Sequence, residues 1–151
     1  FRSKGLGIVD GNSAQPFYLF LIRITMENSN INLGQNLQQF SGSAVYYTLP
    51  LFNYKYTAGV HYLAEQAACY WMLTDIAAVV KGFRAKHGFI VAVFKRYSKE
   101  DQKRTRNEAV ITYGEGNGIT LFEQQYDLTD FPLDELRLFF VDDTLMLPNE
   151  Y

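Results

Sequence analysis

The spacing of apolar and polar positions changes several times along the chain, and each change marks an element. From Thr57 to Gly82 (TAGVHYLAEQAACYWMLTDIAAVVKG) the apolar positions follow a helical period. Counted at about 100° per residue, Val60, Leu63, Ala64, Ala67, Tyr70, Trp71, Thr74 and Ala78 share one face. From Ala67 onward the segment is apolar on nearly all sides, the mark of a buried helix. Thr57 can cap its start, and Lys81 with Gly82 suits its end. The pattern predicts one long central helix.

Beyond it the period shortens to two. Phe89–Tyr97 reads as a strand covered on both faces at its start, and the charged run 98–106 (SKEDQKRTR) as a solvated loop. Glu108–Tyr113 is a second strand, Gly114–Gly118 a turn, and Ile119–Tyr126 a third strand. Leu128–Leu133 changes direction, Leu136–Val141 is a fourth strand, and Asp142-Asp143 turns the chain toward Leu145–Leu147. Upstream, Leu33, Leu37 and Phe40 repeat at helical spacing across Ile31–Phe40, which Ser41-Gly42-Ser43 stops. Ala44–Tyr56 gives two short extended pieces broken at Pro50. The fold class expected is α+β: an antiparallel meander of about four to five strands on one long central helix, plus a short N-terminal helix.

Residues 1–25 differ from the rest. The chain opens at Phe1 without a Met, and FRSKGLGIVDGNSAQP has neither period. Phe17–Ile22 is apolar but stops at Arg23, far short of the roughly 20 residues of a membrane span. Met26 is a plausible start, so 1–25 is expected to be an extension outside a single domain at 26–151. The alternative is a strand over 17–24 that joins the sheet edge.

Composition adds compartment and little chemistry. The 151 residues suffice for one core, and 12 Phe with 11 Tyr supply large buried areas. A lone cysteine, Cys69, excludes an internal disulfide and fits a reducing cytoplasm. It sits amid Ala, Tyr and Trp and reads as a buried inert thiol. The net charge of -2 points to neither a polyanion nor a membrane partner. Charge is nevertheless divided: 81–106 holds nine Lys/Arg against Glu100 and Asp101, whereas 107–151 holds ten acids against Arg137 alone. The favoured explanation is that adjacent strands carry complementary charge, and the alternative is a basic edge that meets phosphate.

Three polar side chains on the central helix, His61, Glu65 and Asp75, fall within one arc. His and Glu at i, i+4 can share a metal, but Asp75 lies about 15 Å further along the axis, so no metal site is expected. The plain reading is an exposed arc with a His61–Glu65 hydrogen bond and Asp75 accepting from a loop. Glu65, set in YLAEQAA, either anchors a loop, sits in a cleft, or is simply solvated. His87 belongs to no Ser–His–Asp pattern, and GEGNG precedes a strand, so it is a hairpin and not a phosphate loop. Asp127, Asp130, Asp134 and Glu135 lack a calcium-loop spacing and read as a solvated bend. The basic run Lys95, Arg96, Tyr97, Lys99, Lys103, Arg104 and Arg106 could meet phosphate and stack a base, although Glu100 and Asp101 interrupt it.

The stretches LQQFSGS (37–43), YTAGVHYLAEQAACYWMLTDIA (56–77), TDFPLDELRLFF (129–140) and LPNEY (147–151), taken in this order, resemble an uncharacterised bacterial family known only as a domain of unknown function. The resemblance covers about 37–151 and implies a small cytoplasmic prokaryotic protein; it brings no activity, substrate or cofactor. Physically, Phe40-Ser41-Gly42 ends a helix, Gly59 permits a tight turn into the next one, and Phe131-Pro132 fixes a bend. The function expected is a non-enzymatic accessory or protein-interaction module. Two alternatives stay open: nucleic-acid binding through 95–106, and an enzyme with a carboxylate site around Glu65. No cofactor and no membrane partner is expected.

Overall fold

The computed structural model describes residues 11–151, so the first ten residues of the expected extension lie outside it. The described elements run α1 (Gly11–Leu37), β1 (Tyr46–Leu49), β2 (Tyr54–Thr57), α2 (Ala58–Gln66), α3 (Tyr70–Phe83), β3 (Phe89–Arg96) and α4 (Lys99–Thr105). They continue with β4 (Ala109–Gly114), β5 (Thr120–Tyr126), β6 (Glu135–Val141), β7 (Thr144–Met146) and a 3-10 turn at Pro148–Glu150.

The fold is α+β as expected, but the sheet is larger and is mixed. Its seven strands lie in the order β1-β2-β7-β6-β3-β4-β5. Only β3–β4–β5 is a meander. From β5 the chain crosses to the far side of β3, where β6 pairs with it antiparallel, and β7 then runs parallel to β2. Proximity in sequence failed as a guide because residues 127–134 are pinned across the sheet end. Phe131 is wholly buried with its ring 4.8 Å from that of Phe94, and Arg96 N–H donates to the Asp134 carbonyl. One sheet face, with Ile90, Phe94, Ile111, Leu138 and Phe140, packs against α2 and α3 in the core.

The long central helix is two helices. Ala67 N–H returns to the Leu63 carbonyl, Cys69 N–H reaches the Ala64 carbonyl, and Ala68 takes φ 49° between them. That is a Schellman-type end built without the usual glycine. The interruption resets the helical phase. Val60, Leu63 and Ala64 are buried as expected, but beyond it the buried residues are Met72, Leu73, Ile76, Ala77 and Val80, with Tyr70 and Ala78 exposed.

Two other expectations are corrected. The run 98–106 is helical: Ser98 Oγ accepts from Asp101 N–H, acids fill the first turn and Lys103 with Arg104 the last. The short helix at 31–40 is the C-terminal part of α1, which spans 17–24 as well, so that stretch is not a strand. Of the α1 side chains described, Leu33 and Leu37 are buried, while Leu19, Phe20, Met26 and Ile31 are more than half exposed.

One buried carboxylate ties the N-terminal elements to the end of the sheet. Glu150 accepts from Thr57 Oγ, Gly59 N–H (3.0 Å), Ser43 Oγ (3.0 Å) and Leu147 N–H (3.0 Å). Its charge lies against the first turn of α2, where the helix dipole favours an anion. Asn149 beside it donates to the Leu37 and Phe40 carbonyls, closing α1. Gly59 is required here because a Cβ would stand 2.6 Å from Leu147 Cδ1 and 2.8 Å from both Glu150 oxygens.

Three stability measurements test this arrangement. Glu150→Ala should destabilise by about 3 kcal/mol in urea unfolding, since several buried donors lose a charged acceptor, and Gly59→Ala by about 2 kcal/mol through overpacking. A loss under about 0.5 kcal/mol, the level of an ordinary surface change, would remove Glu150 from this role. Removing residues 1–25 should leave the melting temperature unchanged within about 2 °C, because among the described α1 side chains the buried ones lie at 33 and 37.

Candidate functional site

The first half of the central segment presents a polar aromatic cluster. Because α2 starts at the edge of β2, His61 and Glu65 face outward beside β1. The His61 ring lies parallel to Tyr47, with centroids 3.8 Å apart and planes 7° apart, and Tyr56 is 6.1 Å away. The interruption at Ala68 returns Tyr70 over this cluster. Its hydroxyl donates to Glu65 Oε1 and lies 3.4 Å from His61 Nδ1. The phenol has one proton and gives it to Glu65, so in the longer His61 contact the Tyr70 oxygen can only accept, from Nδ1–H. Although the Tyr70 side chain as a whole is exposed, desolvation of its hydroxyl within the cluster, and after it the Glu65 hydrogen bond, raises the phenol above its ordinary pKa, and burial raises Tyr56 as well. His61 and Glu65 are thus joined through Tyr70.

Asp75 is not part of that cluster. On α3 it turns toward β5, where Tyr126 donates to its Oδ2 at 3.0 Å. The phase change between the helices separates what a continuous helical count placed on one arc. Among the described residues, no group of three or more His, Cys, Asp or Glu side chains gathers where it could hold a metal ion.

The interruption also opens a groove against the 127–134 crossing. A cavity of about 410 Å³ is bounded by Asn32 and Asn36 of α1, Tyr62 and Gln66 of α2, and Asp130 with Pro132. A second, of about 560 Å³, is bounded by Trp71, Glu108, Tyr126, Leu128, Thr129 and Asp130. Asp130 borders both. Trp71 and Tyr126 meet edge to face at 5.5 Å, and Leu128 is 75% exposed on the rim. Glu108 Oε2 accepts from Thr129 N–H at 2.9 Å, while the Asp130 carboxylate accepts no hydrogen bond among the described residues. Sequence reasoning assigned Trp71 to scaffold and Asp130 to a solvated bend. The left-handed Ala68 that creates the groove carries no Gly, Asn or Pro signal, so neither residue could be placed there by pattern.

The basic run is partly spent on its own surroundings. Arg96 pairs with Asp134 at 3.3 Å and donates to the Phe131 carbonyl, Arg104 pairs with Asp101 at 2.8 Å, and Tyr97 donates to Gln125. Lys95 is exposed and stands opposite Glu135 in the strand register, and Lys99, Lys103 and Arg106 are exposed on α4 and its end. Cys69 closes the count: it is buried at the helix interruption, and burial pushes its thiol up to about 12.

The tyrosines set an alkaline limit. Burial, and after it the Asp75 charge, raises Tyr113 and Tyr126 well above 10, so the folded chain keeps protons that the unfolded chain loses above pH ~10. Stability contributed by these groups is therefore complete below pH ~10 and declines above it. The urea midpoint should be flat on this account from neutral pH to about 9 and fall at about 11; a midpoint that holds to pH ~12 would contradict the burial of these phenols.

No curated protein and no solved structure matches the chain. A family model matches residues 31–151, which spans the sheet, the cluster and the groove. The chain belongs to the family of unknown function DUF6876.

Proposed function

We propose that the protein is a small, non-enzymatic protein-interaction module of the bacterial cytoplasm. The observation that carries this reading is the outer edge of β5. It ends the sheet, it is seven residues long, and one of its two sides has no strand paired to it among the described residues. Such an edge offers a row of main-chain donors and acceptors to an incoming strand. Ile119 (64% exposed), Phe122 (42%) and Leu128 lie along or beside it. The opposite edge, β1, is four residues long and is followed at once by Pro50, a poorer template. A buried, unreactive Cys69 fits a reducing compartment, and no described helix is long and apolar enough to cross a membrane.

Affinity capture from cells that make the protein tests the reading. The tagged protein should retain a defined partner protein, and Phe122→Glu with Leu128→Glu should lose it while the circular dichroism spectrum is kept. Equal capture by both proteins would remove β5 from the account. Capture that vanishes on nuclease treatment, and with Lys99, Lys103 and Arg106 neutralised, would favour nucleic-acid binding through α4 instead.

A further inference from the structure

At its Tyr126 end, β5 runs into the groove lined by Trp71, Glu108, Leu128 and Asp130. The strand and the groove form one continuous surface, because Tyr126 belongs to both. Alternate residues of β5 face the helical layer: Phe122, opposite the buried Tyr113, and Tyr126, opposite the buried Ala109. A strand added to this edge would carry every second side chain over Phe122 and Tyr126 and then toward the groove.

The groove is chemically one-sided. Two aromatic rings meet at its base, and the carboxylates of Glu108 and Asp130 stand at its walls. Glu108 retains Oε1 after Oε2 accepts from Thr129, and both Asp130 oxygens are free of hydrogen bonds among the described residues. Among the described residues no Lys or Arg lines the groove: Arg96 of β3 is held by Asp134 and the Phe131 carbonyl, and Lys99, Lys103 and Arg106 of α4 lie outside the lining. Aromatic faces joined with carboxylates select a cation, and the alkyl stem of a Lys or Arg would cover the exposed Leu128.

Building on the interaction reading above, we infer that the partner is a basic segment in extended conformation. It adds to β5 as an eighth strand and seats one Lys or Arg side chain in the Trp71–Tyr126–Asp130 groove. The affinity comes from main-chain pairing along 120–126, and the selectivity from the seated cation.

Selection of random peptides displayed on phage against the whole protein tests this. Recovered peptides should share a Lys or Arg at one position, flanked by strand-forming residues. Bound as free peptides, they should change the fluorescence of Trp71, the only tryptophan in the chain, and slow amide exchange at 120–126 but not at 46–49. Replacing the shared Arg by citrulline, or Asp130 by Asn in the protein, should weaken binding about tenfold, the scale of one desolvated cation site. The citrulline peptide tests the same contact with an unaltered protein. The inference is overturned if no peptide is recovered or if the recovered peptides share no basic position. It also falls if their binding is unchanged by citrulline and Asp130→Asn, or if protection maps elsewhere than β5. Should peptides fail while a folded partner is still captured through Phe122 and Leu128, this inference falls and the broader interaction reading stands.

Discussion

A carboxylate taken out of water must be met by donors, and Glu150 is met by four of them from three separate stretches of chain. Ser43 follows the end of α1, Thr57 and Gly59 flank the start of α2, and Leu147 leaves β7. Without this acceptor, the first turn of α2 would lose a buried partner and Thr57 would lose the contact that fixes its capping hydroxyl. No basic side chain balances the charge among the described ion pairs, so backbone N–H groups, hydroxyls and the helix dipole do so. Neutral donors of this kind demand close approach, which is why a residue without a Cβ stands at 59.

The same constraint organises the two surfaces of interest. Anchoring α2 at Thr57 fixes where it ends, and the left-handed turn at Ala68 then redirects the chain into α3. Tyr70 consequently points back to His61 and Glu65, while Trp71, one residue on, points to Tyr126. One turn therefore supplies a polar aromatic cluster on one side and an acidic aromatic groove on the other. The crossing at 127–134, held by Phe131 and Arg96, completes the groove.

Much of this was legible in the chain and some was not. Strands β3, β4, β5 and β6 follow from short apolar runs bounded by turn signals, and Thr57 as a cap from its hydroxyl. Three of the four stretches that together resemble a family, 37–43, 56–77 and 147–151, meet around Glu150. The strand order was hidden because pairing of β6 with β3 depends on Phe131 finding Phe94, a contact with no local signature. The division of the central helix was hidden because Ala67-Ala68-Cys69 favours helix by propensity, and tertiary packing overrides it. Helix α4 could have been read: Ser98 three residues before Asp101 is a capping signal, outweighed by the density of charge. Asp75 went astray for the reason that the helical count was carried across a discontinuity.

The parallel pairing of β2 with β7 has a kinetic consequence. Lys55 and Tyr56 lie beside Thr144 and Leu145, so the β1–β2 hairpin is joined to the rest of the sheet by residues far apart in sequence. The β1–β2 hairpin can form early, but its inner edge, with Tyr54 and Tyr56, stays unsatisfied until residues 144–150 are made and docked. Closing so long a loop before any contact rewards it makes folding slow relative to helical domains of this size. During that interval an aromatic hairpin edge is open to any other nascent strand, and the fold is guarded against mispairing only by how soon β7 arrives.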